Sequence, residues 1–356
     1  MQARALASDA TWLFRCPADV VSTALRTTFG FDGSFVAAAT RSQKQEGNPR
    51  MIDVAPPILV VGATGRHGGT GAGVANELLD CGVPIRAITR TLDHRVAALK
   101  RRGVDVLQAD LHDRLSLIKA LKGIETAYFT YPIAGGIVEA AANFASAGRA
   151  TGLKRIVTMS MGPAHPNSPS HLGRAQWLAE ELFETAGFQC LHLRIAAAFL
   201  ENIVMLHTND VRTDRIIRNS FPDIPVSWIM GADAARIATA AILHPERFAQ
   251  GPAIYPGSPY QYKQSDIAQI LGGFLNRKLS HETISAEAWR ERIIELSAKD
   301  SRLNADMAAH ISSVAAALEQ MQPLPPNDMI EQITGAPPLS LEEALQGGRL
   351  VFDLDE

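Results

Sequence analysis

The chain has 356 residues, 46% of them apolar, and a net charge of −3 at neutral pH. That is enough apolar chain for one large α/β domain or two smaller ones. No basic block points to direct nucleic-acid binding, and no apolar run has the length of a membrane span. The three cysteines, Cys16, Cys81 and Cys190, form no metal-ligand or CxxC spacing, as suits reduced thiols and a cytoplasmic protein.

Residues 1–50 end in the polar stretch "RSQKQEGNPR" (41–50) and read as a disordered extension ahead of Met51, itself a candidate start. They hold no n-region, h-region and cleavage site of a secretory signal, although few acids and several Arg and Ser leave a transit-peptide reading open. From Pro57 onward, buried strands alternate with amphipathic helices. "ILVVGA" (58–63) is a β-branched run of the kind covered on both faces, followed by a helix over 72–80. "PIRAITR" (84–90) is a second strand, and "RVAALKRRG" (95–103) is a helix closed by Gly103. "VDVLQAD" (104–110) is a third strand, and Asp113 caps the helix "RLSLIKALKG". "TAYFTYP" (126–132), "RIVTMSM" (155–161) and "QCLHLRI" (189–195) continue the strands, with helices at about 136–151 and 174–186.

This alternation predicts an α/β fold, a doubly wound parallel Rossmann sheet over 51–200. Beyond Phe199 it loosens: "SWIMGADAARIATAAILHPE" reads as a helix reached through Asp233, "GPAIYPG" as one more strand, and 264–347 as mainly helical. Residues 201–356 are therefore expected to form a smaller, mainly helical C-terminal substrate domain beside the strands' carboxyl ends. About 226–256 are expected to return to the Rossmann sheet.

"ILVVGATGRHGGTGAGVANELL" (58–79) allows a GxxGxxG turn in two registers, Gly62–Gly65–Gly68 or Gly65–Gly68–Gly71. A dinucleotide turn needs a tight exit from the strand, a backbone without Cβ at the pyrophosphate, and a small residue where helix meets strand. Free N–H groups at the helix N-terminus then meet the phosphates. We assign Gly62, Gly65 and Gly68 to the phosphate loop, together with Thr64, Arg66 and His67, and read Gly69–Gly73 as an extended or frayed helix entry. At the end of the second strand stands Arg90, with no acid beside it. A guanidinium there accommodates the 2′-phosphate of NADP(H), and Arg66 offers a second positive charge. Asp110 and Leu111 are placed to meet the adenine, although Asp110 also suits a turn cap. Thr130, Tyr131 and Pro132 are placed to run past the nicotinamide ribose.

"VVGATGRHGG…VPIRAITR", "LQADLHDRLSLIKALKGIETAYFT", "RIVTMSM", "LRIAAAFLENI" and the closing "ITGAPPLSLEEAL" together resemble the NmrA-like, atypical short-chain dehydrogenase/reductases, from about residue 57 to 347. The resemblance implies a Rossmann domain with a smaller C-terminal substrate domain and NADP(H) as cofactor. It also implies either reduction of quinones, dyes or phenylpropanoids, or redox sensing without turnover. The wider superfamily works through Ser with Tyr-x-x-x-Lys. Ser160 matches the serine, but Leu172 and Gln176 occupy the other two positions. Leu cannot transfer a proton, and a neutral Gln cannot shift a neighbour's pKa.

His165 and His171, in "GPAHPNSPSHLGRAQ", are the alternative acids, since His titrates near neutrality; their other reading is histidines of a polar loop. Met161, Phe199 and Asn202 are the pocket candidates, with ordinary packing the alternative for Phe199. No metal site is expected. The favoured function is an NADPH-dependent reductase of a small conjugated or aromatic acceptor, working by direct hydride transfer without the Tyr–Lys pair. The alternative is a non-catalytic NADP(H) sensor acting through a protein partner, and a weaker third is a scaffold that binds nothing. The apolar stripe over 286–321 suits a homodimer face or packing inside the cap.

Overall fold

Short β-branched runs that can be buried on both faces, set between helices with one apolar side, stack into three layers. A computed structural model describes residues 56–65, 69–248, 251–321 and 324–353. The first half runs β1 (Ile58–Val61), α1 (Thr70–Asp80), β2 (Ile85–Thr89), α2 (His94–Arg101), β3 (Asp105–Gln108), α3 (Arg114–Leu121), β4 (Thr126–Phe129), α4 (Ile137–Thr151), β5 (Arg155–Met161), α5 (His171–Thr185) and β6 (Gln189–Ile195). There follow β7 (Ala198–Phe199), α6 (Glu201–Thr213), β8 (Ile216–Asn219), β9 (Val226–Ile229), α7 (Gly231–Leu243) and β10 (Ala253–Ile254). The chain closes with β11 (Gln261–Tyr262), α8 (Gln264–Phe274), β12 (Ser280–Thr283), α9 (Ala286–Ser297), α10 (Ala305–Met321), α11 (Met329–Thr334) and α12 (Leu341–Gln346).

Seven strands form the main sheet in the order β10-β6-β5-β4-β1-β2-β3, all parallel, so the fold is the doubly wound α/β class expected. Strand alternation divides the core. Leu59, Val61, Ala127, Phe129 and Ile156 face α3, α4 and α5. Val60, Tyr128 and Val157 face α1 and α7 on the other side. Phe129, Phe144 and Phe183 pack edge to face, with centroids 5.0–6.2 Å apart, and anchor α4 and α5 to the sheet. The order reverses between β1 and β4, and that switch point opens a crevice at the strands' carboxyl ends.

Over that crevice sits a second body. It holds a three-stranded sheet, β11-β9-β7, a two-stranded one, β12-β8, and the helices α6 and α8–α10 around their own apolar clusters. Here the sequence expectation needs two corrections. "VSWI" is the strand β9, not the start of a helix, because all four residues are buried where β9 pairs with both β7 and β11. The helix begins at Gly231, and Asp233 caps it from inside, accepting from the Met230 amide at 3.2 Å. Of the segment 226–256, α7 packs on the main sheet and β10 joins it, whereas β9 belongs to the smaller sheet. The extension 1–50 lies outside the described residues. Among those described, no helix is long and apolar enough to cross a membrane.

Candidate functional site

β1 ends at Val61 and the chain turns at once. Gly62 has φ +78°, a conformation that favours glycine, and a Cβ there would stand 2.6 Å from Thr130 Cγ2. The Gly65 amide closes the turn by donating to the Gly62 carbonyl at 2.8 Å. α1 starts at Thr70 behind Gly69, and among the described residues no side chain caps it, which leaves first-turn N–H groups for an anion. The glycine that lets helix approach strand is Gly71, where a Cβ would lie 2.5 Å from the Gly62 oxygen and 2.6 Å from its carbon. Gly71 therefore makes the close approach of helix to strand, and of the two readings of Gly69–Gly73, an extended or a frayed helix entry, the chain is helical from Thr70. Arg66, His67 and Gly68 themselves lie outside the described residues. This cradle, closed to any Cβ and edged by an uncapped helix, fits a dinucleotide pyrophosphate.

A cleft of about 950 Å³ runs from this loop along the strand ends. Gly62, Thr64, Gly65, Arg90, Asp110, Leu111, Thr130, Tyr131 and Pro132 all line it, as do Ser160, Met161, Phe199 and Asn202. Arg90 is exposed at the end of β2, available to a phosphate. Arg95 joins the wall without having been singled out from sequence. Its guanidinium, forked on Asp93, also donates to the Thr64 carbonyl at 3.0 Å and holds the loop, while that pairing pulls the Asp93 carboxyl down to about 2. The Asp110 carboxylate accepts from the His112 amide at 2.9 Å, so part of its capacity goes to the local turn. The Tyr131 hydroxyl lies 2.9 Å from His112 Nε2 and donates to the Gly135 carbonyl at 3.1 Å.

At the reaction end, α5 lies beside β5 and presents Leu172, Gln176 and Glu180 at four-residue spacing, hence on one face. All three are buried. Gln176 borders the cleft, and its Nε2 has no partner among the described residues. Ser160 donates its hydroxyl to the Glu180 carboxylate, which Arg194 also holds at 2.9 Å from Nε; Arg194 in turn reaches the Tyr255 hydroxyl. Burial pushes the Glu180 carboxyl up, while Arg194 and Ser160 pull it down less strongly. Neither His165 nor His171 belongs to the cleft wall. His165 accepts from the Asn167 amide in its loop, and the half-exposed His171 stands 3.3 Å from Asp306 of α10.

The far wall is α10, which contributes His310, Ile311, Val314, Ala315 and Leu318. Of the apolar stripe over 286–321, Trp289, Ile293, Met307, Ala308 and Ala315 pack in the cap core, while Ile294 is exposed. His310 is 7% exposed, and its Nδ1 lies 2.6 Å from Ser170 Oγ. Glu180, Arg194, Tyr255 and His310 escaped the sequence reading. Only Glu180 had a sequence signal, its spacing four residues beyond Gln176.

Comparison with known proteins places this geometry. A sequence profile described as the NmrA-like family matches residues 56–345. An NAD(P)H azoreductase of Xenophilus azovorans is 24% identical over 303 residues, spanning 83% of this chain and 99% of that protein. Among solved structures, the NADPH-dependent quinone oxidoreductase of Escherichia coli, determined with NADPH, superposes with a TM-score of 0.69 at 20% identity; the match covers 82% of this chain and 99% of the other. The Citrobacter sp. triphenylmethane reductase, determined with NADP(H), gives 0.68 at 21%, with the same coverage.

Proposed function

The chain belongs to the NmrA-like family, and from that premise we propose that it is an NADPH-dependent reductase of a small conjugated or aromatic acceptor, working in the cytoplasm without a Tyr–Lys pair. The observation that carries this reading is a single cleft in which the glycine cradle and Arg90 meet the apolar wall of α10. The relatives support it, being reductases of azo compounds, quinones and triphenylmethane dyes.

Gly62, Gly65 and the α1 N-terminus hold the pyrophosphate, Arg90 the 2′-phosphate, and Thr130, Tyr131 and Pro132 flank the nicotinamide ribose. Bound there, the reduced dinucleotide supplies a hydride. Met161, Phe199 and the α10 side chains keep water from the acceptor and hold it flat, which orients it for transfer. Leu172 offers no proton, and the Ser160 hydroxyl is committed to Glu180. In this reading, with neither position able to serve, solvent delivers the proton.

An equilibrium titration of the purified protein with NADPH, NADH and their oxidised forms, repeated on Arg90→Ala, tests the cofactor half. NADPH is expected to bind tightly, and Arg90→Ala to weaken it about tenfold or more while sparing NADH, as the loss of a charge-assisted contact implies. Binding of none of the four sinks the reading. Tight binding without turnover of any quinone, azo compound or dye favours a sensor, which the missing Tyr and Lys make the second reading.

A further inference from the structure

We propose that His310 is the hydrogen-bond donor to the acceptor's reducible group, its Nε2–H meeting the lone pair on which negative charge develops. This rests on the reductase reading above.

The tautomer follows from Ser170. Its Oγ caps α5, accepting from the amides of Leu172 at 3.2 Å and Gly173 at 3.5 Å, which uses both lone pairs. Ser170 is 1% exposed, so its own O–H needs an acceptor, and the atom in reach is His310 Nδ1 at 2.6 Å. If Nδ1 carried the proton instead, Ser170 would face three donors with two lone pairs and leave its hydroxyl hydrogen unmet. The ring hydrogen therefore sits on Nε2, which has no partner among the described residues.

Burial and the nearby His171 push His310 down to about 4, so the ring is neutral at working pH. A neutral imidazole is a donor that does not surrender its proton, suited to stabilising a developing anion in a dry site. On the same helix Ile311, Val314 and Leu318 add an apolar face to the cleft, and Phe199 and Phe221 are also in its lining, which elsewhere carries the polar side chains of Gln176, Asn202 and Ser227. A few fixed polar groups in a mainly apolar lining are how small-molecule pockets orient their ligands, and His310 is the one that α10 contributes.

With a quinone, two electrons and one proton cross as hydride from the reduced nicotinamide, which is left oxidised. The acceptor becomes its mono-anion, the charge rests on the oxygen that Nε2–H meets, and water delivers the second proton to give the hydroquinone. A cationic triphenylmethane dye takes hydride at carbon and becomes neutral, with no oxyanion to stabilise.

The test compares a small benzoquinone with such a dye on wild type, His310→Phe and His310→Gln, after an NADPH titration confirms that each binds cofactor. We expect His310→Phe to lower quinone kcat/KM about 100-fold, the usual effect of losing one oxyanion donor. The loss with the dye is expected to be far smaller, and Gln, which keeps an N–H, to restore part of the quinone rate. Nitrogen-15 NMR of the ring gives a reading independent of turnover: Nε2 protonated and Nδ1 not. The opposite tautomer, or equal losses on both acceptors, overturns the assignment and leaves the reductase reading standing. A cofactor-loaded wild type that reduces no quinone, azo compound or dye overturns both.

Discussion

A single hydrogen on the Cα of Gly71 decides whether α1 can seat against β1. A methyl there meets the Gly62 carbonyl at 2.5 Å, and its contacts are backbone atoms that cannot turn aside. Gly71→Ala is expected to lower stability by about 1–3 kcal/mol, the usual penalty of overpacking, and to weaken NADPH binding along with it. Urea denaturation paired with the NADPH titration checks this, and an unchanged pair would show that the cradle is looser than described. Ser160 is a second case where one partner decides a role. Its match to a catalytic serine is plain in sequence, yet its hydroxyl donates to Glu180, which Arg194 holds, and Arg194 in turn donates to the Tyr255 hydroxyl.

Between elements, the decisive contact joins α10 to the loop after β4. Asn304 donates to the Ile133 carbonyl at 3.1 Å, and Asp306 accepts from the Gly135 amide at 2.8 Å while facing His171. The cap helix thereby latches the segment that flanks the nicotinamide ribose in our reading. A hydrogen bond to a charged group contributes about 1.5–3 kcal/mol. Asp306→Ala is therefore expected to speed exchange of the Gly135 amide about tenfold or more and to weaken NADPH several-fold. Hydrogen exchange that leaves residues 132–136 unaffected would show that the loop holds its shape without the cap.

Across the whole molecule, buried histidines set a pH limit. Burial lowers His192 and His310 to about 4 and His207, which stacks on Trp289, to about 3. Unfolded, each titrates near 6.5, so between that pH and its folded value the unfolded chain binds the extra proton. Stability from these groups is complete above about 6.5 and falls as pH drops toward 4 and 3. Buried carboxyls such as Glu180 and Asp233, raised by burial, act in the opposite sense, so a difference measurement is needed. Relative to wild type, His207→Gln is expected to lose less stability from pH 6.5 to 4, by an amount on the order of 1–3 kcal/mol at 1.36 kcal/mol per unit. Parallel curves would mean that His207 is hydrated in the fold.

The doubly wound sheet was legible in the sequence because its determinants are local: β-branched runs, helical periodicity and a glycine-rich turn directly after the first strand. The strand-end positions Arg90, Asp110, Thr130 and Ser160 could be named for the same reason, since a parallel sheet brings the carboxyl ends of its strands to one edge. Even there, the sequence allowed two glycine registers and we assigned the first to the loop, whereas the seating of α1 on β1 makes Gly71 the close contact. The strand β9 hid inside a helical-looking stretch because its pairing partners lie in distant segments. The wall facing the strand ends was settled by tertiary structure alone. His310 and Ser170 are 140 residues apart in the chain and meet only because the cap folds back over the sheet, and no local pattern records a contact made at that range.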